Sequence, residues 1–390
     1  MNILRRPGPF YEGQARPAGE ERGGVAYGLY LHIPFCRAKC RYCDFYSRGG
    51  CKEVPEAYVD ALIAALGRWR EEAAGGAGAL RPGTVYFGGG TPGLLRPEQV
   101  KRLLAAADPL PGAEVTLEAN PDGLTAGLLA GWRRAGVNRL SLGVQTARDE
   151  SLARLGRRHT AADSRTALQM ARDAGFENIS GDIMLALPGY SEAEFCETLA
   201  LLAEGGATHI SAYLLKLEPG TAFGARPPAG LPDEDAAAEF YLGAVRRLEA
   251  AGYRQYEISN FARPGFEGRH NLIYWNCGDY LGLGPAAHSC MGGRRFYWPA
   301  DTAAFAAGSA VPVPDGGCDA EDFIMLQLRL SAGFRLAQLK ELYGAEFTEK
   351  QLRFVKRCCE AGYAVLEGGV LRLTPRGMLL QNSILCELLE

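Results

Sequence analysis

The sequence predicts an α/β chain: a partial parallel barrel of six or more β/α units, then a smaller α+β unit of winged-helix character. Three observations predict it. To about residue 260 one phrase recurs, in which a helical stretch ends on a small residue and Gly and a short apolar strand follows. Gly just past a helix end takes the left-handed conformation that stops the helix. Short apolar runs alternating with amphipathic helices are the pattern of βαβ units and a parallel sheet. After Cys318 the pattern changes to helices followed by a hairpin signal.

Residues 1–26, rich in Gly, Pro, Arg and Glu, read as a flexible leader without the apolar stretch of a signal peptide. The barrel unit is expected over 27–300 and the C-terminal unit over 301–390. Gly28–Ile33, Thr84–Phe87 and Val115–Glu118 read as the first strands. Ala135-Gly136 then precedes Arg139–Gly143, and Ala174-Gly175 precedes Ile179–Ala186. Gly205-Gly206 precedes His209–Leu214, and Ala251-Gly252 precedes Tyr256–Ile258. Pro97 suits a first helical turn, and Ser191 with Glu194 reads as a capping box. Past Cys318, Asp319–Tyr343 and Thr348–Ala361 read as helices. Tyr363–Leu373 reads as two strands around Glu367-Gly368-Gly369, and a last helix starts at about Thr374. Lys350, Arg353, Lys356 and Arg357 put basic charge on one helix, but acidic residues flank it, so a solvated face is expected rather than a nucleic-acid surface.

The chain has 390 residues, an apolar fraction of 47% and a formal net charge of −3. That composition supports a sizeable core and argues against general nucleic-acid binding. No apolar run reaches the roughly 18 residues of a spanning helix, and a cytoplasmic protein is expected. Eleven cysteines in such a chain are not expected to form a disulfide framework. Eight of them are scattered and read as small buried hydrophobes.

The other three stand together as Cys36, Cys40 and Cys43, just after a predicted strand, with C-x3-C-x2-C spacing. Three thiolates on one short loop can each bind an iron of a [4Fe–4S] cubane and leave the fourth iron open, which a reactive cluster needs. Zinc is the rival reading, because Cys51 or a His could complete a tetrahedral site. The run Phe87-Gly88-Gly89-Gly90-Thr91-Pro92, at the end of another predicted strand, would allow close backbone approach.

The spacing, Tyr42 before the last cysteine and the preceding strand resemble the radical S-adenosylmethionine (SAM) superfamily. There the open iron chelates SAM, and one electron from the cluster cleaves it to methionine and a 5′-deoxyadenosyl radical. Further segments, among them GLYLHIPFCRAKCRYCDFYS, FGGGTP, LEANP, RLSLGVQT, LGRRHT, HNLIYW and YLGLGPAAHS, resemble the coproporphyrinogen III oxidase-like branch, and within it the HemW type. The resemblance implies that Tyr30, Gly89, Glu118 and His288 line a first SAM site. It implies that Tyr42, Gly90, Thr91, Gln145, Arg157 and Asp182 line SAM as well, the last five at positions that contact a second SAM in the oxidase. It also implies heme: His270 as an axial ligand, with Tyr274 and Trp275 stacking on the macrocycle. Taken alone, HNxxYW reads instead as a packed seam.

Two functions follow from the resemblance. One is a heme-binding chaperone that delivers heme to a respiratory protein. The other is oxygen-independent coproporphyrinogen III oxidase, which forms protoporphyrinogen IX. Asp44-Phe45 after Cys43, where the oxidase has a further cysteine, and the short leader lean toward the chaperone. Whether SAM is turned over stays open, as do a homodimer and a peripheral membrane contact.

Overall fold

The structure, a computed structural model, describes residues 27–73 and 81–390; the expected leader lies outside the described residues. Six strands follow in order: β1 (Gly28–Ile33), β2 (Thr84–Gly89), β3 (Glu114–Ala119), β4 (Arg139–Gln145), β5 (Asn178–Leu185) and β6 (His209–Leu214). Each pairs in parallel with the next. Helices such as Glu56–Ala73, Pro97–Ala107 and Glu192–Glu204 form the crossovers. The α/β partial parallel barrel read from the sequence is therefore present.

Side chains alternate along these strands. Leu29, Leu31, Val85, Phe87, Leu117, Leu140, Leu142, Ile183 and Ile210 are buried in one continuous core with the helices. The alternate positions, among them Tyr30, His32, Glu118, Ser141, Asp182 and Tyr213, line internal cavities. A strand presents successive side chains to opposite faces, so one face anchors the helices and the other is left for chemistry. Pro97 opens its helix as expected. The Ser191 cap forms, but only half of the expected box: its hydroxyl accepts from Glu194 N, whereas the Glu194 carboxylate takes the Thr146 hydroxyl at 2.5 Å.

The predicted strand Tyr256–Ile258 is a turn. It lies between β7 (Arg254–Gln255) and β8 (Asn260–Ala262), and β8 runs antiparallel to β6. The chain reverses because buried Glu257 accepts from Ser259 N at 3.0 Å and Tyr256 N donates to the Asn260 carbonyl at 3.1 Å. Four strands unforeseen in the sequence follow: β9 (Tyr280–Leu283), parallel to β1, then β10 (His288–Met291), β11 (Arg294–Tyr297) and β12 (Val313–Gly317). They complete a twelve-stranded sheet of order β12-β11-β10-β9-β1-β2-β3-β4-β5-β6-β8-β7. This sheet runs past residue 300, the expected end of the barrel unit.

A second core, including Phe323, Ile324, Phe334, Leu339, Val355, Leu371 and Leu388, defines the C-terminal unit. Here β13 (Phe334–Arg335), β14 (Ala364–Glu367) and β15 (Val370–Leu373) form a sheet of order β13-β15-β14. The single helix expected over Asp319–Tyr343 is broken into Ala320–Gln327 and Leu336–Tyr343. Gly333 stands at the break with φ of +59°, and a Cβ there would lie 1.9 Å from the Leu371 carbonyl. On Glu349–Glu360, Arg353, Lys356 and Arg357 each face a carboxylate at 3.3, 3.9 and 3.5 Å, which is the expected solvated face.

His270 closes the seam between the helix Arg269–Trp275 and the barrel. It is 1% exposed. Its Nδ1 bonds the Thr84 hydroxyl at 2.7 Å and its Nε2 the Tyr274 hydroxyl at 2.6 Å. Burial, with the Arg139 charge adding to it, pushes its pKa down to about 3.

Two outcomes are expected. Gly333→Ala destabilises the C-terminal unit by about 1–3 kcal/mol in denaturant unfolding, because the left-handed backbone and the Leu371 carbonyl both oppose a Cβ. His270 resists the proton that the unfolded chain takes up below the ordinary histidine pKa. Stability therefore falls as pH drops from the unfolded value toward the folded one, by up to about 1.4 kcal/mol per pH unit. His270→Gln removes that acid-side slope, which paired pH-dependent melts would measure.

Candidate cluster and cofactor site

The cysteine loop leaves the C-terminal end of β1 and is held by backbone bonds. Cys36 N donates to the Arg48 carbonyl at 2.8 Å, Arg48 N to the Pro34 carbonyl at 2.8 Å, and Cys51 N to the Cys36 carbonyl at 2.9 Å. The glycine run at the end of β2 meets this loop directly. Gly90 N donates to the Ile33 carbonyl at 2.9 Å and Thr91 N to the Phe35 carbonyl at 2.8 Å. A Cβ on Gly90 would lie 2.8 Å from both Ile33 O and Phe35 N, so only glycine allows this contact.

The three thiols line one cavity of about 320 Å³ with Tyr42, Gly89, Gly90, Thr91, Glu118, Gln145, Arg157 and Asp182. These are the barrel positions that the sequence brought forward. The Thr91 hydroxyl donates to Cys36 Sγ at 3.4 Å, and Arg157 Nη1 to Cys40 Sγ at 3.4 Å. Without iron, burial pushes the Cys43 thiol up to about 11. Donors and a buried cation aimed at sulfur suit thiolate ligands, so the residues fit an iron–sulfur group. Among the described residues no three His, Cys, Asp or Glu side chains converge on a single-ion position. A cubane takes one thiolate on each of three irons and asks for a wider triangle than zinc does.

Arg157 is committed to protein acceptors: its Nη2 reaches Asn120 Oδ1 and the Gly143 carbonyl, both at 2.6 Å. Asn120 was missed as a site residue, although it lies in the LEANP segment just beyond β3. Gln145 is held at φ of +68°, a strained conformation for a residue with a side chain, at the end of β4. Burial raises the Asp182 carboxyl above its usual range, and the Ser211 and Ser141 hydroxyls work against that rise.

Glu118 joins this cavity to a second one. Its carboxylate accepts from Tyr86 OH at 2.7 Å and from Gly89 N at 3.2 Å. Burial pushes its pKa up to about 7, with Asp182 adding to the rise and the Tyr86 bond opposing it. The second cavity, of about 500 Å³, is lined by Tyr30, Glu118, Tyr274, Trp275, Tyr280, His288 and further side chains of both cores. The residues expected at a first SAM site thus divide: Gly89 and Glu118 face both cavities, Tyr30 and His288 only the larger one. Phe45, 63% exposed, also borders both.

His270, expected as a heme ligand, lines neither cavity. Both ring nitrogens are bonded and the ring lies in the seam, so in this structure it offers no lone pair to a heme iron. Tyr274 and Trp275 do face the larger cavity, and the Arg329 guanidinium stands 4.3 Å from the Trp275 ring. His32 bonds Tyr30 OH at 3.0 Å and the Tyr46 carbonyl at 2.9 Å. His209 bonds Ser180 and Tyr256, each at 2.8 Å. His159 is buried against the Val144 carbonyl at 3.1 Å.

Residues 30–202 match the radical SAM superfamily and residues 319–380 the HemN C-terminal domain. The chain is 37% identical to heme chaperone HemW of Mycobacterium tuberculosis, over 94% of this chain and 95% of that protein. It is 42% identical to heme chaperone HemW of Escherichia coli, over 67% of this chain and 69% of that one. Coproporphyrinogen III oxidase from Escherichia coli, described as a radical SAM enzyme, shares the fold, with a TM-score of 0.79, 21% identity and coverage of 96% and 94%. On these matches, over the barrel just described, the chain belongs to the HemW branch of the radical SAM superfamily.

Proposed function

We propose that the protein is a heme-binding chaperone that carries heme in its larger cavity, beside a [4Fe–4S] cluster and SAM, and passes it to a heme-accepting respiratory protein. One observation carries this reading: an aromatic cavity of about 500 Å³, walled by Tyr30, Tyr274, Trp275 and Tyr280, opens beside the cysteine loop. Its size is in the range of cofactor sites, which are largely apolar with a few polar groups. Two relatives aligned over more than nine-tenths of both chains carry the heme chaperone name.

Cys36, Cys40 and Cys43 would hold the cluster, and SAM would meet its open iron. When bound, that pair supplies one-electron chemistry. Arg157 sets a positive charge beside Cys40, and Thr91 does the same with a hydroxyl dipole at Cys36. Asp182 and Glu118 would accept hydrogen bonds from ribose hydroxyls or the SAM amine, while Tyr42, Gly89, Gly90 and Gln145 shape the cavity. No described helix is long and apolar enough to cross a membrane. In this reading the protein works in the cytoplasm and meets its recipient at the surface; dimer formation is a further property to measure.

The deciding measurement uses protein with its cluster reconstituted without oxygen. Saturable heme binding, seen as a Soret band, with no porphyrin product from coproporphyrinogen III, SAM and a reductant, is the expected result. Protoporphyrinogen IX formed together with 5′-deoxyadenosine would replace the chaperone with the oxidase. Arg157→Ala is expected to weaken cluster retention by roughly 10–100-fold, the range for lost outer partners of a metal site. Iron and sulfide per chain would show this, with heme binding unchanged.

A further inference from the structure

The larger cavity holds two cysteines that the cluster does not use. Cys290 lies on β10 and is 2% exposed. Cys318 follows β12 and is half-buried. Their sulfurs are 3.0 Å apart, and both side chains line the cavity. Cys318 is fixed by its own backbone, because its N–H donates to the Gly293 carbonyl of the β10–β11 turn at 3.0 Å.

We propose that Cys318 is the axial ligand through which this chain holds heme iron, with the Cys290 S–H donating to its sulfur. The proposal rests on the heme-chaperone reading and adds the ligand to it. Heme iron needs a histidine nitrogen, a thiolate, a thioether or a phenolate on its axis. His270 is spent on Thr84 and Tyr274. Both side chains line the cavity, and Cys318 is the more exposed residue of the pair, so it is the one assigned to the iron. A hydrogen bond to a ligating sulfur is one of the levers by which proteins tune such iron.

The charges around Cys318 agree. Arg295 lines the same cavity and reaches Asp322 at 3.1 Å and Asp315 at 3.5 Å. A guanidinium near a thiol favours its thiolate. Thiolate is a ligand suited to ferric heme iron. Ligation breaks the Cys318 S–H bond and releases its proton to solvent, displaces the axial water of ferric heme and forms one Fe–S bond, with no electron transferred.

The test uses the full chain with its cluster reconstituted, so that Cys36, Cys40 and Cys43 are occupied, and adds ferric heme. Optical and electron paramagnetic resonance spectra of the wild type should be those of a thiolate-ligated ferric heme. Cys318→Ser should abolish that signature and weaken binding on the order of tenfold or more. Cys318→His should bind heme with a nitrogen-ligated spectrum, which a merely structural cysteine would not produce. Cys290→Ser should keep thiolate ligation and shift the heme reduction potential; Cys196→Ser, at an exposed cysteine that lines neither cavity, should leave the spectrum alone. Saturable heme binding whose spectrum is the same in Cys318→Ser, or changes only in His288→Ala, overturns this assignment and leaves the chaperone reading intact. Heme that does not bind the wild type overturns both.

Discussion

Gly90 against the turn after β1 is the contact on which the site depends. Parallel pairing of β1 with β2 ends at Ile33 and Gly89, yet the two chains stay in contact for two more hydrogen bonds, through Gly90 and Thr91. Those bonds carry the rigidity of the sheet into the cysteine loop, an irregular segment that would otherwise be set only by its own turns. Thr91 then has its backbone on Phe35 and its hydroxyl on Cys36. The same few atoms fix the loop and dress its first sulfur. A side chain at position 90 would part the two chains, and the sulfurs would lose both their positions and a donor.

Glu118 does for the two cavities what Gly90 does for the loop. With a pKa near neutrality it holds or releases a proton under small changes in its surroundings. It faces the cysteine cavity on one side and the aromatic cavity on the other. A charge in either one therefore acts on the same carboxyl group.

The parallel barrel was legible because its units repeat: a Gly after each helix, then a short run with apolar residues on alternate positions. The strands β9 to β12 gave no such signal, since each has only four or five residues, too few to show a clear alternation. Tyr256–Ile258 imitated a strand because it follows Ala251-Gly252, and only the buried Glu257 carboxylate, turned back on Ser259 N, shows why the chain reverses there. Cysteine spacing marked the cluster loop outright. Arg157 and Thr91 emerged from whole segments rather than from any local rule, because their partners Cys40 and Cys36 lie far away in sequence. His270, Tyr274 and Trp275 stand together in one motif, but His270 also bonds Thr84, which no local pattern joins to it.

The larger cavity has walls from both cores. Tyr30 and Glu118 belong to the barrel, while Asp322, Met325 and Leu326 come from the C-terminal unit. That unit is moored to the β7–β8 turn by Ile258 N on the Arg329 carbonyl at 3.0 Å and Ser331 N on the Tyr256 carbonyl at 3.0 Å. Any occupant that touches both walls adds RT ln(1 + [L]/Kd) to the free energy holding the two units together. Loading is thereby linked to the tightness of an interdomain seam, and a recipient that loosens the seam needs no contact with the cargo to lower its affinity.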